Sequence, residues 1–181
     1  IVSSILATKV PLHEVILSIS GKSKRLPKFD GSVLYDFAAY DIGKRISKEA
    51  LRWPGIDPNK WWQKAMRSIP TGFFKGDALQ AYILKVFREF DLPNRFQDLN
   101  TSLYIGATFQ DTFEPVVFGK EPWDKTPINE AVRASCALPP VFTPAEINNK
   151  KFIDGQITKT SNLELVIKKG CKLVFIIDPL I

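Results

Sequence analysis

Residues 151–177 read KFIDGQITKTSNLELVIKKGCKLVFII, and this stretch decides the fold. It begins with a short apolar strand that ends in Asp154-Gly155. A helix follows, because Asn162 can cap its start and Gly170 stands where a helix commonly closes. The run KLVFII at 172–177 has the length of a strand buried on both faces of a parallel sheet. Strand, helix and strand in this order predict a βαβ unit and an α/β fold.

The residues before this stretch alternate between helix-like and strand-like segments. A proline at the start, an apolar face with helical spacing and a closing glycine or proline mark most of the helices. Two strand-like runs joined by a polar turn predict a β-hairpin. The predicted helices lie at 11–19, 32–39, 42–51, 57–67, 77–90 and 127–136, and the hairpin strands at 102–108 and 115–119. Helices therefore cover a mixed sheet.

Composition indicates one globular domain, and the charge leaves several partners open. The 181 residues are 45% hydrophobic and include 13 Phe and 4 Trp, which is enough for a substantial core. The net charge of +6 permits nucleic acid, an anionic membrane surface or an acidic substrate as partner. No zinc-finger spacing or RNA-binding aromatic signature accompanies the charge, so nucleic acid is not expected. No apolar run approaches the roughly 20 residues of a membrane span, which predicts a soluble, cytoplasmic protein.

Few residues in the sequence suit metal or triad chemistry. Cys136 and Cys171 form no CxxC pair, which favours a reducing compartment and structural thiols. The only histidine, His13, stands in a helix-like stretch, where a surface position is the simpler interpretation. One histidine and two separated cysteines could hardly assemble a zinc site, so neither a metal nor a cofactor is expected.

Asp154 is the best candidate for a catalytic group. In α/β sheets the working groups stand at the carboxyl ends of strands, which is the position of Asp154. Gly155 behind it lets the chain turn sharply or approach a ligand closely. A carboxylate placed there could act as a general base, and partial burial would raise its pKa towards a useful value. The alternative is an ordinary Asp-Gly turn.

The order of motifs around Asp154 resembles that of the patatin-like phospholipases. In that family a helix ends in an alanine-serine turn followed by prolines and Phe-x-Pro. A strand then delivers Asp-Gly, and an Asn-capped helix leads to another strand. The matching elements here, in the same order, are Ala134-Ser135, Pro139-Pro140, Phe142-Thr143-Pro144, Phe152-Ile153-Asp154-Gly155 and Asn162. Upstream, the hairpin LYIGATFQDTFEPVVFG (103–119) and the turn IPTGFF (69–74) are also similar to family segments.

The resemblance implies a mostly parallel sheet in a three-layer α/β/α arrangement. It implies a hydrolase of fatty-acyl lipid esters that uses a Ser-Asp pair, with Asp154 as the base. Serine would attack the ester carbonyl and form an acyl-enzyme, while backbone N–H groups hold the oxyanion. Gly155, Ser135 and Pro139 would support the turn or the substrate pocket.

The sequence departs from the family pattern in its nucleophile. No serine has glycines two residues before and after it, and the family's glycine-rich oxyanion loop is absent from the 181 residues. The first residues, IVSSILAT, resemble the helix that follows this serine, so we expect residues 1–181 to form one partial domain, incomplete at the N-terminus and inactive alone. The alternative is a lipid-binding or scaffold protein that lost the serine. Gln156, Phe109 and Phe113 also replace residues common in the family, and Gln156 could alter the pocket or point to solvent.

A membrane-contact surface is a further hypothesis. Trp61-Trp62 and Phe73-Phe74, with Lys60, Lys64, Arg67 and Lys75 nearby, suit the headgroup layer of an anionic bilayer. They would give the protein a transient, peripheral membrane contact. The alternative is that these aromatic rings pack in the core or line an acyl pocket.

Overall fold

The structure is a computed structural model that describes residues 7, 10–25, 74–159 and 162–176. The helices predicted at 32–39, 42–51 and 57–67 lie outside these residues. So do Trp61-Trp62 and the basic residues beside them.

Four α-helices within the described ranges follow the sequence signals closely. They are α1 (Leu12–Ile19), α2 (Asp77–Glu89), α3 (Ile128–Ser135) and α4 (Leu163–Lys168). Pro11 and Pro127 directly precede α1 and α3, where a fixed φ favours the first turn and no backbone hydrogen bond is lost. Asn162 stands at the N-cap of α4, as predicted, although its side chain makes no capping hydrogen bond.

Four strands form one sheet within the same ranges. They are β1 (Ile105–Phe109), β2 (Pro115–Phe118), β3 (Ala145–Ile147) and β4 (Lys150–Asp154), in the order β2-β1-β4-β3. The hairpin of β1 and β2 and the strand that ends at Asp154 confirm two predictions. Strand β3 was not predicted. It joins β4 through Asn148 and Asn149, whose φ angles of 51° and 60° are those of a tight two-residue hairpin turn.

The α/β class is confirmed, but the parallel pairing is not. All three strand pairs of the sheet are antiparallel. The isolated bridge between Phe74 and Phe142 is parallel and lies outside the named strands.

The prediction of a buried strand at 172–177 is wrong for its described residues. Residues 172–176 have no regular secondary structure, and Phe175 is 84% exposed. An apolar run becomes a buried strand only where neighbouring strands supply backbone hydrogen bonds. In the described part of the chain no strand pairs with residues 172–176, so the βαβ unit lacks its second strand there.

The core lies between the sheet and helices α2 and α3. Helix α2 buries one face, as its apolar spacing predicts, and α3 packs against β1, β3 and β4. The core residues that are almost fully buried include Leu79, Ile83, Val86, Phe87, Ile128, Ala131, Ala134, Ala107, Phe118 and Phe152. A buried hydrogen bond of 3.0 Å between Ser18 and Tyr82 attaches α1 to α2.

Aromatic rings fix the position of β4 relative to the other strands. The ring of Phe152 lies 5.0 Å from Phe109, 5.3 Å from Phe118 and 5.1 Å from Trp123, between ring centroids. Tilted and edge-to-face pairs of this kind each add about 1 kcal/mol beyond the area that they bury. Because Phe152 is only two residues from Asp154, this packing gives the end of β4 a defined place.

Candidate active site

Asp154 is the last residue of β4, so the strand delivers its carboxylate to an end of the sheet. The two residues before it, Phe152 and Ile153, are almost fully buried and hold the strand against α3 and β1. Asp154 is half-buried and pairs with Ala107 of β1.

The main chain of Asp154 is attached to the end of helix α3. Its N–H donates a 3.0 Å hydrogen bond to the carbonyl oxygen of Ala137. Ala137 follows Cys136, which is the C-cap of α3. The structure therefore brings together two segments of the family resemblance, the alanine-serine turn and the Asp-Gly strand end.

Gly155 lies where no side chain fits. A Cβ on Gly155 would be 2.8 Å from both the carbonyl carbon and the carbonyl oxygen of Gly106, which are backbone atoms of β1. Because Gly155 has no side chain, its backbone can lie close to the backbone of β1. The approach brings the turn after Asp154 directly onto β1.

Two opposing effects act on the carboxylate. Burial raises the pKa of Asp154, because partial removal from water disfavours the charged form. The main-chain N–H of Gln156 donates a 2.8 Å hydrogen bond to Oδ1, which favours the charged form and moderates the rise in pKa. The Gln156 side chain itself is exposed, which agrees with the solvent-facing alternative.

Cys136 is the second titratable group in this region. It is free, and burial raises the pKa of its thiol; the negative charge of Asp154 raises that pKa further. A raised pKa keeps the thiol protonated at neutral pH, which fits the structural role expected for it.

Ser135 and Pro139 lie on either side of Ala137, and both are half-buried. Ser135 ends α3, and Pro139 lies in a turn that the N–H of Phe142 closes on the carbonyl of Leu138 at 2.9 Å. In the described part of the chain, the hydrogen bonds of Asp154 go to Ala137 and Gln156 and not to these two residues. Their supporting roles stay predictions.

Three contacts of this site were missed from the sequence, and one of them had a signal. A single glycine inside a strand commonly marks a close backbone approach, and Gly106 is such a residue. The carbonyl of Ala137 and the hydroxyl of Thr108 carry no comparable signal. Thr108 is fully buried, and its Oγ1 lies 2.7 Å from Oγ1 of Thr158.

The two hairpin residues that differ from the family pattern, Phe109 and Phe113, have different structural roles. Phe109 packs against Phe152 and Trp123, so its ring belongs to the aromatic cluster under β4. Phe113 has φ = +58°, a left-handed conformation that favours glycine. The hairpin thus keeps a glycine-type turn with a phenylalanine in it.

Other candidate groups lie outside this region or remain untested. His13 is exposed beside Glu14 on α1, which confirms the surface position expected for it. Phe74 packs at 6.0 Å on Phe142, and this half-buried contact favours packing over membrane contact for that ring. Within the described ranges, no cluster of three or more His, Cys, Asp or Glu side chains could hold a metal ion.

In the described part of the chain, no helix is long enough and apolar enough to cross a membrane.

Comparison with known families agrees with the motifs that meet at Asp154. A family model described as patatin-like phospholipase matches residues 26–167, which is more than half of the chain. The match includes helix α3, the sheet, the Asp154-Gly155 turn and most of α4. The chain belongs to the patatin-like phospholipase family.

Proposed function

We propose that this protein is a lipid acyl hydrolase in which Asp154 is the general base. Membership of the patatin-like phospholipase family supports acyl hydrolysis of lipids. The observation that carries the finer proposal is the half-buried carboxylate of Asp154 at the end of β4, where the main-chain N–H of the same residue donates a hydrogen bond to the carbonyl of Ala137. The nucleophile in this proposal is a serine outside residues 1–181, so these residues alone do not turn over substrate.

The proposed reaction has two balanced steps. In the first, Asp154 accepts the proton of the serine hydroxyl while the serine oxygen bonds to the ester carbonyl carbon. The bond to the alcohol then breaks, and Asp154 returns the proton to the leaving oxygen. In the second step Asp154 takes a proton from water, the water oxygen attacks the acyl-enzyme, and the released serine recovers the proton.

The environment of Asp154 suits both directions of proton transfer. Its raised pKa makes the carboxylate a stronger base than an exposed aspartate. The hydrogen bond from Gln156 occupies Oδ1 and fixes the orientation of the carboxylate. The single histidine, His13, is exposed on α1, and the proposal does not use it.

The substitution Asp154→Asn tests the proposal in the protein that includes the residues preceding Ile1. It should lower kcat/KM for a short-chain fatty-acyl ester by about a hundredfold to ten-thousandfold, the usual size of a general-base contribution. Asp111→Asn, an exposed substitution in the hairpin turn, is the matched control and should leave turnover unchanged. Near-normal turnover by Asp154→Asn would remove Asp154 from the mechanism.

The alternative is a lipid-binding scaffold of the same fold without a nucleophile. It is motivated by the lack of a Gly-x-Ser-x-Gly string in the 181 residues. Labelling of the natural protein by a fluorophosphonate, which reacts with activated serines, separates the two functions. Labelling at a serine before Ile1 supports the enzyme. Lipid binding without labelling or turnover supports the scaffold.

The proposed substrate is a fatty-acyl lipid, and contact with an anionic membrane is a separate proposal. It concerns Trp61, Trp62 and Phe73, since Phe74 packs on Phe142. Trp62→Ala should weaken sedimentation with anionic vesicles while leaving the fold intact. Equal sedimentation of the variant and the wild-type protein would end this proposal.

A further inference from the structure

The turn that carries Asp154 is attached to strand β1 at both of its ends. At the first end, Asp154 pairs with Ala107 in the sheet. The chain then passes through the short 3-10 helix Gly155–Ile157 to Thr158, its C-cap. At the second end, the hydroxyl of Thr158 lies 2.7 Å from the hydroxyl of Thr108, the next residue of β1.

The hydrogen bond between the two hydroxyls stabilises the turn, because one of them is buried. Thr108 is fully buried and Thr158 is exposed, so the buried hydroxyl of Thr108 loses this hydrogen-bond partner if Thr158 lacks its own hydroxyl. An unsatisfied buried hydroxyl costs about 1–3 kcal/mol. The pair therefore favours the one turn conformation that brings Thr158 onto β1.

That turn conformation also orients the carboxylate. The N–H of Gln156, inside the turn, donates the 2.8 Å hydrogen bond to Oδ1 of Asp154. The carbonyl of Gly155 accepts from the N–H groups of Thr158 and Lys159 at 3.3 and 2.9 Å, so the backbone of the turn is one bonded unit. A shift of Thr158 would move the Gln156 N–H away from the carboxylate.

We propose that Thr108 and Thr158 form a positioning pair that orients the Asp154 carboxylate through the Gln156 N–H. Neither threonine takes part in the chemistry, and the inference rests on the proposed function of Asp154. The pair fixes the angle at which the carboxylate meets the serine hydroxyl. Errors of about 1 Å in such geometry can lower a rate by about a hundredfold.

The first test is the substitution Thr158→Val, which keeps the side-chain volume and removes the hydroxyl. It should lower kcat by between about tenfold and a hundredfold with KM nearly unchanged, because the proposed role of the pair is to orient the base and not to bind the substrate. It should also move the acid limb of the pH–rate profile to higher pH, since the charged carboxylate loses support from the Gln156 N–H. Thr158→Ser keeps a hydroxyl and should restore both properties.

A second variant covers the case in which Thr158→Val does not fold. The double substitution Thr108→Val with Thr158→Val removes both hydroxyls and leaves neither one unsatisfied. It should fold and show the same altered profile. Thr112→Val, an exposed change in the hairpin turn, is the matched control and should match the wild-type profile.

The titration of Asp154, followed by carboxyl ¹³C NMR, separates this inference from the proposed function. If Asp154→Asn abolishes turnover but the valine variants keep the wild-type titration and kcat, the positioning role is overturned. If Asp154→Asn retains turnover, the proposed function fails. The NMR titration then still decides whether the pair controls the carboxylate, because that measurement needs no catalysis.

Discussion

The backbones of Gly155 and Gly106 are in direct contact, and the two glycines are not equivalent. A Cβ on Gly155 would meet fixed backbone atoms at 2.8 Å, whereas a Cβ on Gly106 would meet the side-chain amide nitrogen of Asn162 at 2.8 Å. A flexible side chain can move aside at little cost, but the backbone of a paired strand cannot. The contact therefore tolerates a small side chain at Gly106 but not at Gly155.

We predict that Gly155→Ala destabilises the protein by about 1–3 kcal/mol, the usual cost of inserting atoms where no space exists. The displaced turn should also reduce ester turnover. Gly106→Ala should cost clearly less in the same urea-unfolding measurement. Equal losses for the two variants would contradict the rigid contact between the backbones.

The stability contribution of Asp154 should depend on pH in a defined direction. Burial raises the pKa of Asp154 in the folded protein above its unfolded value. Its contribution is then fully present below the unfolded pKa and is lost as pH rises through the folded pKa. Asp154→Asn does not titrate, so its stability should increase relative to the wild-type protein as pH rises from acidic to neutral.

Urea unfolding of both proteins across this range measures the difference. Asp111→Asn, at an exposed turn position, is the control for a general effect of removing a negative charge. If the stability of Asp154→Asn instead falls relative to that of the wild-type protein as pH rises, the folded protein prefers the charged carboxylate.

The two-residue turn between β3 and β4 should tolerate only residues that accept a positive φ. Asn149 has φ = +60°, where a β-branched residue is strongly disfavoured. Asn149→Val should cost about 1–2 kcal/mol. Asn149→Gly should be neutral or slightly stabilising, since Asn-Gly is the preferred sequence of such turns. Lys151→Val, at an exposed residue of β4, serves as the control and should have little effect in thermal unfolding.

Phe113 offers a stabilising substitution. Its φ of +58° costs a non-glycine residue about 1–2 kcal/mol. Phe113→Gly removes this strain and loses only the contacts of a half-buried ring, so stability should be unchanged or increased. Phe109→Ala in the same hairpin should instead cost about 2 kcal/mol or more, because Phe109 packs on Phe152 and Trp123. A large loss of stability in Phe113→Gly would show that the ring contributes more than the strain.

Local signals predicted the elements whose causes are local. Pro11, Pro127 and Gly170 mark helix ends through their own backbone preferences, and these ends are found in the structure. Strand β3 has only three residues, so its alternation is too short to detect. Its Asn148-Asn149 turn was the available signal. The prediction for residues 172–176 is wrong because burial of an apolar run depends on a partner elsewhere in the chain.

The candidate site likewise has features that the sequence predicts and features that it does not. The position of Asp154 at a strand end follows from its own neighbours and from the order of the family motifs. The contacts that hold it come from residues distant in sequence. The carbonyl of Ala137 accepts a hydrogen bond from the N–H of Asp154, and the backbone of Gly106 contacts the turn that follows Asp154. The carbonyl oxygen of Ala137 leaves no mark in composition or spacing. Gly106, a glycine inside a strand, indicates a close backbone approach, but the segment that approaches it becomes visible only in the folded chain.

The exposed run at 172–176 has a practical consequence for anyone preparing this polypeptide. Leu173, Phe175 and Ile176 are 72%, 84% and 69% exposed, and the segment contains no proline and a single charge, on Lys172. Exposed apolar segments with few charges and no proline are prone to stack between molecules in cross-β contacts. Residues 1–181 should therefore aggregate on concentration, and a lysine at position 175 is the change most suited to keep them in solution.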